Sequence, residues 1–196
     1  MRFIEKNAAG RAHLTLRLVE TRETTPEYDN NAMNFSLLTD KNEDVAAGRC
    51  VVLSEPGSRD YLYISAIYVE GNTNKPTKSH PNRFVGLGQL LLFSAIRYGM
   101  EQNIENASLL PVDDSQGFYL KMGFHPTIIT DTVNRIVVTG VPLSSGHGKL
   151  NAKWRDHFYN ASFLNPDFRG PNWSGNILNI YLNLRHRIMT NWTIVG

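Results

Sequence analysis

Arg83-Phe84-Val85-Gly86-Leu87-Gly88 runs straight into an apolar segment, Gln89 to Met100. Two glycines one residue apart at the head of a helix leave backbone N–H groups uncovered by side chains. Such groups, together with the helix dipole, bind phosphate oxygens. Arg83 adds a fixed positive charge at the mouth of the turn, and Leu87, Leu90, Leu91, Ala95 and Tyr98 recur at the spacing of a helix packed on a sheet. The plain alternative is a helix start with two convenient glycines, because short glycine motifs recur by chance. The flanking sequence decides between the two.

Upstream, the alternation from His13 to Glu20 predicts a strand with Leu14, Leu16 and Leu18 on one face. The polar run Thr21 to Asn31 reads as a loop, and Asn34 to Thr39 and Val45 to Ser54 read as two further strands. Tyr61 to Val69, β-branched and aromatic, reads as a central strand, so the front of the chain is an antiparallel meander. Gly71 to Asn82 is a polar loop before the glycine turn. Its Lys75, Lys78 and His80 are available to an anion but are adequately explained as a solvated surface.

Downstream of the long helix, Ala107 to Val112 reads as a short strand. Asp113-Asp114-Ser115 supplies capping oxygens, and Gln116 to Met122 reads as a helix stopped by Gly123. Asn134 to Thr139 is another strand. From Gly140 the texture changes to a Gly/Ser-rich stretch and then to aromatics mixed with asparagines. A helix from about Ile177 to Met189 would carry Ile177, Ile180, Tyr181, Leu184 and Ile188 on one face. The chain therefore divides into a body over residues 1–140 and a C-terminal extension over 141–196, which packs on the core or on a second copy in a homodimer.

At 196 residues the chain is long enough for a real core, and 41% hydrophobic with 19% charged residues argues against the disordered and fibrous classes. A net charge of +2 is too small to imply a nucleic-acid or membrane partner. No apolar run approaches transmembrane length, the N-terminus has no apolar signal core, and the single Cys50 suits a reducing compartment, so a cytoplasmic location is expected. Cys50 lies in the apolar run Cys50-Val51-Val52-Leu53 and reads as a buried strand thiol rather than a nucleophile. No metal-ligand spacing or Ser-His-Asp arrangement stands out, so no metal is expected.

Two motifs, Arg-x-x-Gly-x-Gly at Arg83, Gly86 and Gly88 and Tyr-x-x-x-Gly-Phe at Tyr119, Gly123 and Phe124, stand either side of a helix and a strand. In that order after a meander, the pattern resembles the GNAT superfamily of acyl-coenzyme A-dependent N-acyltransferases, over roughly Leu14 to Thr139. The resemblance implies an α/β (α+β) fold with a mixed, mostly antiparallel central sheet flanked by helices, and acetyl-coenzyme A as co-substrate. It implies that the strand before the glycine turn diverges from the strand after the helix, with the pantetheine arm in the gap. Carried over, Ile67, Tyr68 and Val69 offer backbone groups to the pantetheine. Arg83, Phe84, Val85, Gly86, Leu87, Gly88 and Gln89 cradle the pyrophosphate. Tyr119 is then the general acid for the departing thiolate, and its plain alternative is a core aromatic.

The resemblance thus implies an N-acetyltransferase acting on a primary amine of a peptide, protein or small molecule. A non-catalytic acyl-coenzyme A-binding or protein-interaction module of the same fold is the rival. Glu70, at the end of the central strand, is the best candidate base, with a solvated turn glutamate as the alternative; Asp113, Asp114 and Ser65 follow it, and for His80 and His125 the sequence pattern alone suggests no catalytic pairing. Thr21 to Met33 is too short and polar for the two helices usual after the first strand of that family, so the acceptor site is open or rebuilt from other parts of the chain. A dinucleotide site is disfavoured because a polar loop precedes the turn and Leu91 stands where a third glycine belongs.

Overall fold

The computed structural model describes residues 1–6, 15–24, 31–54, 59–69, 84–111, 115–126, 128–130, 136–138 and 173–196. Five strands come first: β1 (Arg2–Glu5), β2 (Thr15–Thr24), β3 (Asn31–Leu38), β4 (Asp44–Leu53) and β5 (Tyr61–Val69). The long helix α1 (Leu87–Glu101) follows, then β6 (Asn106–Leu109), α2 (Gln116–Met122), β7 (His125–Pro126), and the short pair β8 (Ile128–Thr130) and β9 (Ile136–Val138). The C-terminal segment supplies β10 (Trp173–Asn176), α3 (Ile177–Asn191) and β11 (Trp192–Val195). Nine strands form one sheet in the order β11-β1-β2-β3-β4-β5-β6-β10-β7. Within it β5 and β6 are the parallel neighbours, and every other adjacent pair is antiparallel. The fold class is therefore the expected one, a mixed and mostly antiparallel sheet with helices.

The chain has to cross over between β5 and β6 because parallel neighbours cannot be joined by a tight turn, and α1 makes that crossover. Leu87, Leu90, Leu91, Ala95 and Tyr98 are buried as their spacing requires, and so are Leu92, Phe93 and Ile96. The extra burial has a cause. α1 is covered by the sheet on one side and by α3 on the other, where Phe93 stacks on Tyr181 at 5.3 Å between ring centroids. α3 starts where Asn176 accepts a hydrogen bond from the Asn179 amide at 3.1 Å, an N-cap. It buries Ile177, Ile180, Leu184 and Ile188, the predicted face.

Two expectations differ from the structure. The polar run after Glu20 is not all loop. β2 continues to Thr24 and pairs with β3 from Thr21↔Asn34 to Thr24↔Asn31. The alternation of apolar residues stops on β2 because its side chains there face water: residues 21–23 are exposed although their partners Ala32 and Met33 on β3 are buried, and Glu20 turns to Arg97 rather than to apolar neighbours. The strand after α1 is also shorter than Ala107 to Val112, ending at Leu109 before Pro111, which has no N–H for a ladder. As the short polar connection required, β2 and β3 are immediate neighbours, with only residues 25–30 between them.

Candidate functional site

The ladder between β5 and β6 covers only Tyr61↔Asn106 to Ile64↔Leu109. β5 continues to Val69, so its last five residues present an edge from which β6 has departed. The cause of the parting is visible on the other side of β5. Arg49 pairs with Ala66 and Cys50 with Ile64, which leaves Ser65 as an extra residue, a β-bulge. A bulge bends and twists its strand, and a one-residue slip exchanges the faces of everything beyond it. Before the bulge Leu62 faces α1, since it lies 3.0 Å from a Cβ placed on Gly99 of that helix. After it Val69 does, lying 3.8 Å from a Cβ placed on Gly88.

The glycine turn opens at the mouth of this gap. Gly86 has φ 78° and ψ 24°, a left-handed conformation, and is the N-cap of α1. The amides of Gln89 and Leu90 both fold back to the Gly86 carbonyl, at 2.9 and 3.1 Å. Those of Leu87 and Gly88, also in the first turn, take no backbone acceptor among the described residues. A pair of free N–H groups at the positive end of a 15-residue helix is what an anion requires. The turn is held from a distance. Trp192 Nε1 donates to the Val85 carbonyl at 2.8 Å, and the Trp192 ring stacks on Phe84 at 6.2 Å.

α2 brings the second motif to the same place. Its C-terminus closes at Gly123, φ 107°, where the amides of Gly123 and Phe124 both donate to the Tyr119 carbonyl at 3.1 Å. The reversal folds Phe124 back under the helix, 5.9 Å edge-on from the Tyr119 ring, and Phe118 flanks that ring at 5.0 Å. Burial among these rings pushes the Tyr119 phenol up to about 12, so it holds its proton at every ordinary pH. The Phe118 ring in turn lies 3.6 Å from a Cβ placed on Gly88. Val69, Gly88 and the Phe118–Tyr119 pair thus converge from β5, α1 and α2 on one spot.

Ile67, Tyr68 and Val69 therefore lie along the parted edge, and Phe84, Val85, Gly86, Leu87, Gly88 and Gln89 form the turn at its mouth, with Tyr119 alongside. Glu70 and Arg83 lie outside the described residues, as do Lys75, Lys78, His80, Asp113 and Asp114. Ser65 is the bulge residue, and its hydroxyl donates to the Arg49 carbonyl at 3.3 Å. His125 sits in β7 opposite Ser174, away from the convergence. Cys50 is fully buried, and burial, reinforced by Glu20, raises its thiol far above the ordinary range. Among the described residues no His, Cys, Asp and Glu cluster could hold a metal, and no helix is long and apolar enough to cross a membrane. Trp192 was missed by sequence reasoning, since nothing local ties it to a turn more than a hundred residues earlier.

No protein-family model matches the chain, and no curated protein matches it. Solved structures overlap it loosely. An acetyltransferase of the GNAT family from Staphylococcus aureus overlaps at TM-score 0.40 and 15% identity, covering 74% of this chain and 68% of that one. A Klebsiella pneumoniae protein described as a putative acyl-CoA N-acyltransferase gives 0.41 and 14%, covering 64% and 90%. The NatC complex bound to Gag peptide and CoA gives 0.39 and 18%, covering 52% and 64%. Overlaps at these TM-scores carry no argument about activity, and the chain's own geometry has to supply it.

Proposed function

We propose that this chain is an acetyl-coenzyme A-dependent N-acetyltransferase of GNAT type. The observation that carries the reading is the convergence of the parted β5 edge, the glycine turn and Tyr119 on one spot. Phe118, next to Tyr119 of the second motif, is the side chain that meets Gly88 of the first. In this reading the edge from Ile67 to Val69 offers backbone groups to the pantetheine amides, as a strand does to an added strand. The Leu87 and Gly88 amides take the pyrophosphate, and Arg83, earlier in the same sequence motif, adds a positive charge for it. The residues fit such a group: Gly86 holds the left-handed turn, and the Leu87 and Gly88 amides take no backbone acceptor among the described residues.

The reaction is direct transfer. An unprotonated amine attacks the thioester carbonyl, a C–N bond forms and the C–S bond breaks. Glu70 accepts the proton released by the nitrogen. Tyr119 donates its O–H to the departing sulfur late in the step, and the proton that Glu70 took up returns through water to the phenol, so that amine and thioester give amide and thiol. A phenol raised to about 12 is a weaker acid than a free one, so its role is a hydrogen bond that strengthens as charge builds on sulfur rather than an early proton transfer.

The test is calorimetric titration of coenzyme A into the purified chain, followed by thiol release from acetyl-coenzyme A with a panel of amines. Binding together with release is expected. Absence of coenzyme binding would sink the proposal. Tyr119→Phe should keep coenzyme affinity and lose about 10²-fold or more in kcat, the usual worth of a positioned acid; an unchanged kcat would take the acid role from Tyr119.

A further inference from the structure

The bulge that parts β5 from β6 also resets which residues stand beside one another on the other face of the sheet. α1 packs against β3, β4 and β5 on one face, the side of Gly48, Leu62 and Val69. Arg49 alternates with Gly48 and so projects from the opposite face. Its cross-strand neighbours there are Asn34 on β3 and Ala66 on β5, and Ala47 and Val51 flank it along β4. Ala47 and Ala66 are too small to fill the space above the strand, and Ala66 is exposed. Tyr68, two residues further along β5 on the same face, is 68% exposed, which is unusual for an aromatic at the end of a central strand.

Arg49 is only partly exposed, yet no ion pair or side-chain hydrogen bond holds it among the described residues. Arg97 is engaged with Glu20 and Glu101, Arg59 with Glu105 and Arg17 with Asn42, whereas Arg2, Arg22 and Arg185, which have no such partner among the described residues, are exposed to water as Arg49 is not. Among the described residues, the acids on its face in the neighbouring pairs are committed elsewhere. Glu23 accepts from the Asn34 amide at 2.8 Å, and Asp44 accepts from the Ser36 hydroxyl at 3.1 Å. A guanidinium drawn partly out of water in mid-strand without a counter-charge costs stability. A ligand anion that arrives later offsets that cost.

We propose that Arg49 binds a carboxylate carried by the acceptor, so that the acceptor class is an amine that is also a carboxylic acid, such as a free amino acid or short peptide. The inference rests on the transferase reading above. Ala66 lies directly across from Arg49, and Tyr68 lies about 7 Å beyond it along the strand that borders the gap. The coenzyme phosphates are assigned to the N-terminus of α1, on the opposite face, so this cation is left for the other substrate. A guanidinium presents two parallel N–H donors to a carboxylate, a match that an ammonium does not reproduce.

The experiment titrates matched twins, amino acids and dipeptides beside their C-terminal amides, into the coenzyme A-saturated chain by calorimetry, with thiol release followed in parallel. Wild type, Arg49→Gln and Arg49→Lys are compared. In wild type the free acid should bind at least about 10-fold tighter than its amide, the range of a charge-assisted hydrogen bond. That gap should vanish in Arg49→Gln and return in part in Arg49→Lys, with coenzyme affinity unchanged in both. A twin ratio that survives Arg49→Gln, or a wild type that binds no free acid or prefers the amide, overturns the inference and leaves the transferase reading intact. Weaker coenzyme binding in Arg49→Gln also overturns it, by giving the cation to the coenzyme. Failure of wild type to bind coenzyme A removes the transferase reading and this inference with it.

Discussion

The two glycines of the turn look equivalent in sequence and should behave oppositely when each is replaced by alanine. Gly86 sits at φ 78°, where an L side chain crowds its own backbone, and the cost is about 1–2 kcal/mol. Gly88 lies inside α1 with its Cβ direction toward Phe118 at 3.6 Å and Val69 at 3.8 Å, distances of ordinary contact. Alanine there adds packing without a clash and replaces the poorest non-proline helix former, a gain of up to about 1 kcal/mol, and less this near the helix end. The two variants should differ by roughly 1–3 kcal/mol. For a chain of this size each kcal/mol moves the melting temperature by about 2–4 °C. Thermal melting followed by circular dichroism should therefore place Gly86→Ala below wild type and Gly88→Ala at or above it. Gly88→Ala should still bind coenzyme A, whereas Gly88→Glu should lose it, because the longer side chain fills the approach and repels the phosphates. Equal destabilisation by the two alanines would refute the assignment of Gly86 to the turn and Gly88 to the contact.

Other perturbations report on other parts of the site. Because burial raises the Tyr119 phenol to about 12, kcat should rise with pH as the amine loses its proton and show no falling limb below about pH 11; a limb at pH 8–9 would identify a different acid. Cys50 is fully buried with a raised thiol, so a disulfide reagent should leave it unmodified in the native chain and titrate it only after denaturation. Fast native modification would contradict the packing of β4. Trp192→Phe keeps a ring against Phe84 but loses the hydrogen bond to the Val85 carbonyl, which should cost about 1 kcal/mol in stability and weaken coenzyme binding through the turn. A Cβ on Gly175 would sit 2.5 Å from the Gly123 carbonyl and 2.8 Å from Ile180, so Gly175→Ala should cost about 1–3 kcal/mol by overpacking, read as a lower denaturant midpoint. An unchanged midpoint would show that β10 does not seat against the end of α2 in this way.

The legible part of the fold was the part written in local periodicity. β5, α1, α2 and the buried face of α3 follow from residue spacing and caps, with Gly123 stopping α2 where its left-handed φ allows. The strands β1, β10 and β11 were not anticipated. Each is only four residues long, too short for alternation to register, and each is fixed by a distant partner, as when Phe3 is set opposite Ile194. The same limit applies to the site. Tyr119 and the glycines announce themselves through motifs, but Trp192 and Arg49 do not, because their meaning lies in what stands across a strand or against a turn. The bulge at Ser65 left no sign in a run that reads as uninterrupted strand.

That single extra residue has consequences on both faces of the sheet. Had β5 continued in register past Ile64, Ser65, Ile67 and Val69 would have kept to the face opposite α1. The slip instead turns Ile67 and Val69 toward α1, where Val69 meets the glycine turn. It also leaves Ala66 and Tyr68 beside Arg49 on the other side. One irregularity thereby opens the gap, seats its coenzyme wall and exposes its acceptor wall. Restoring regular pairing by deleting Ser65 should accordingly remove coenzyme and acceptor binding together, while Gly88→Glu removes the first and Arg49→Gln only the second.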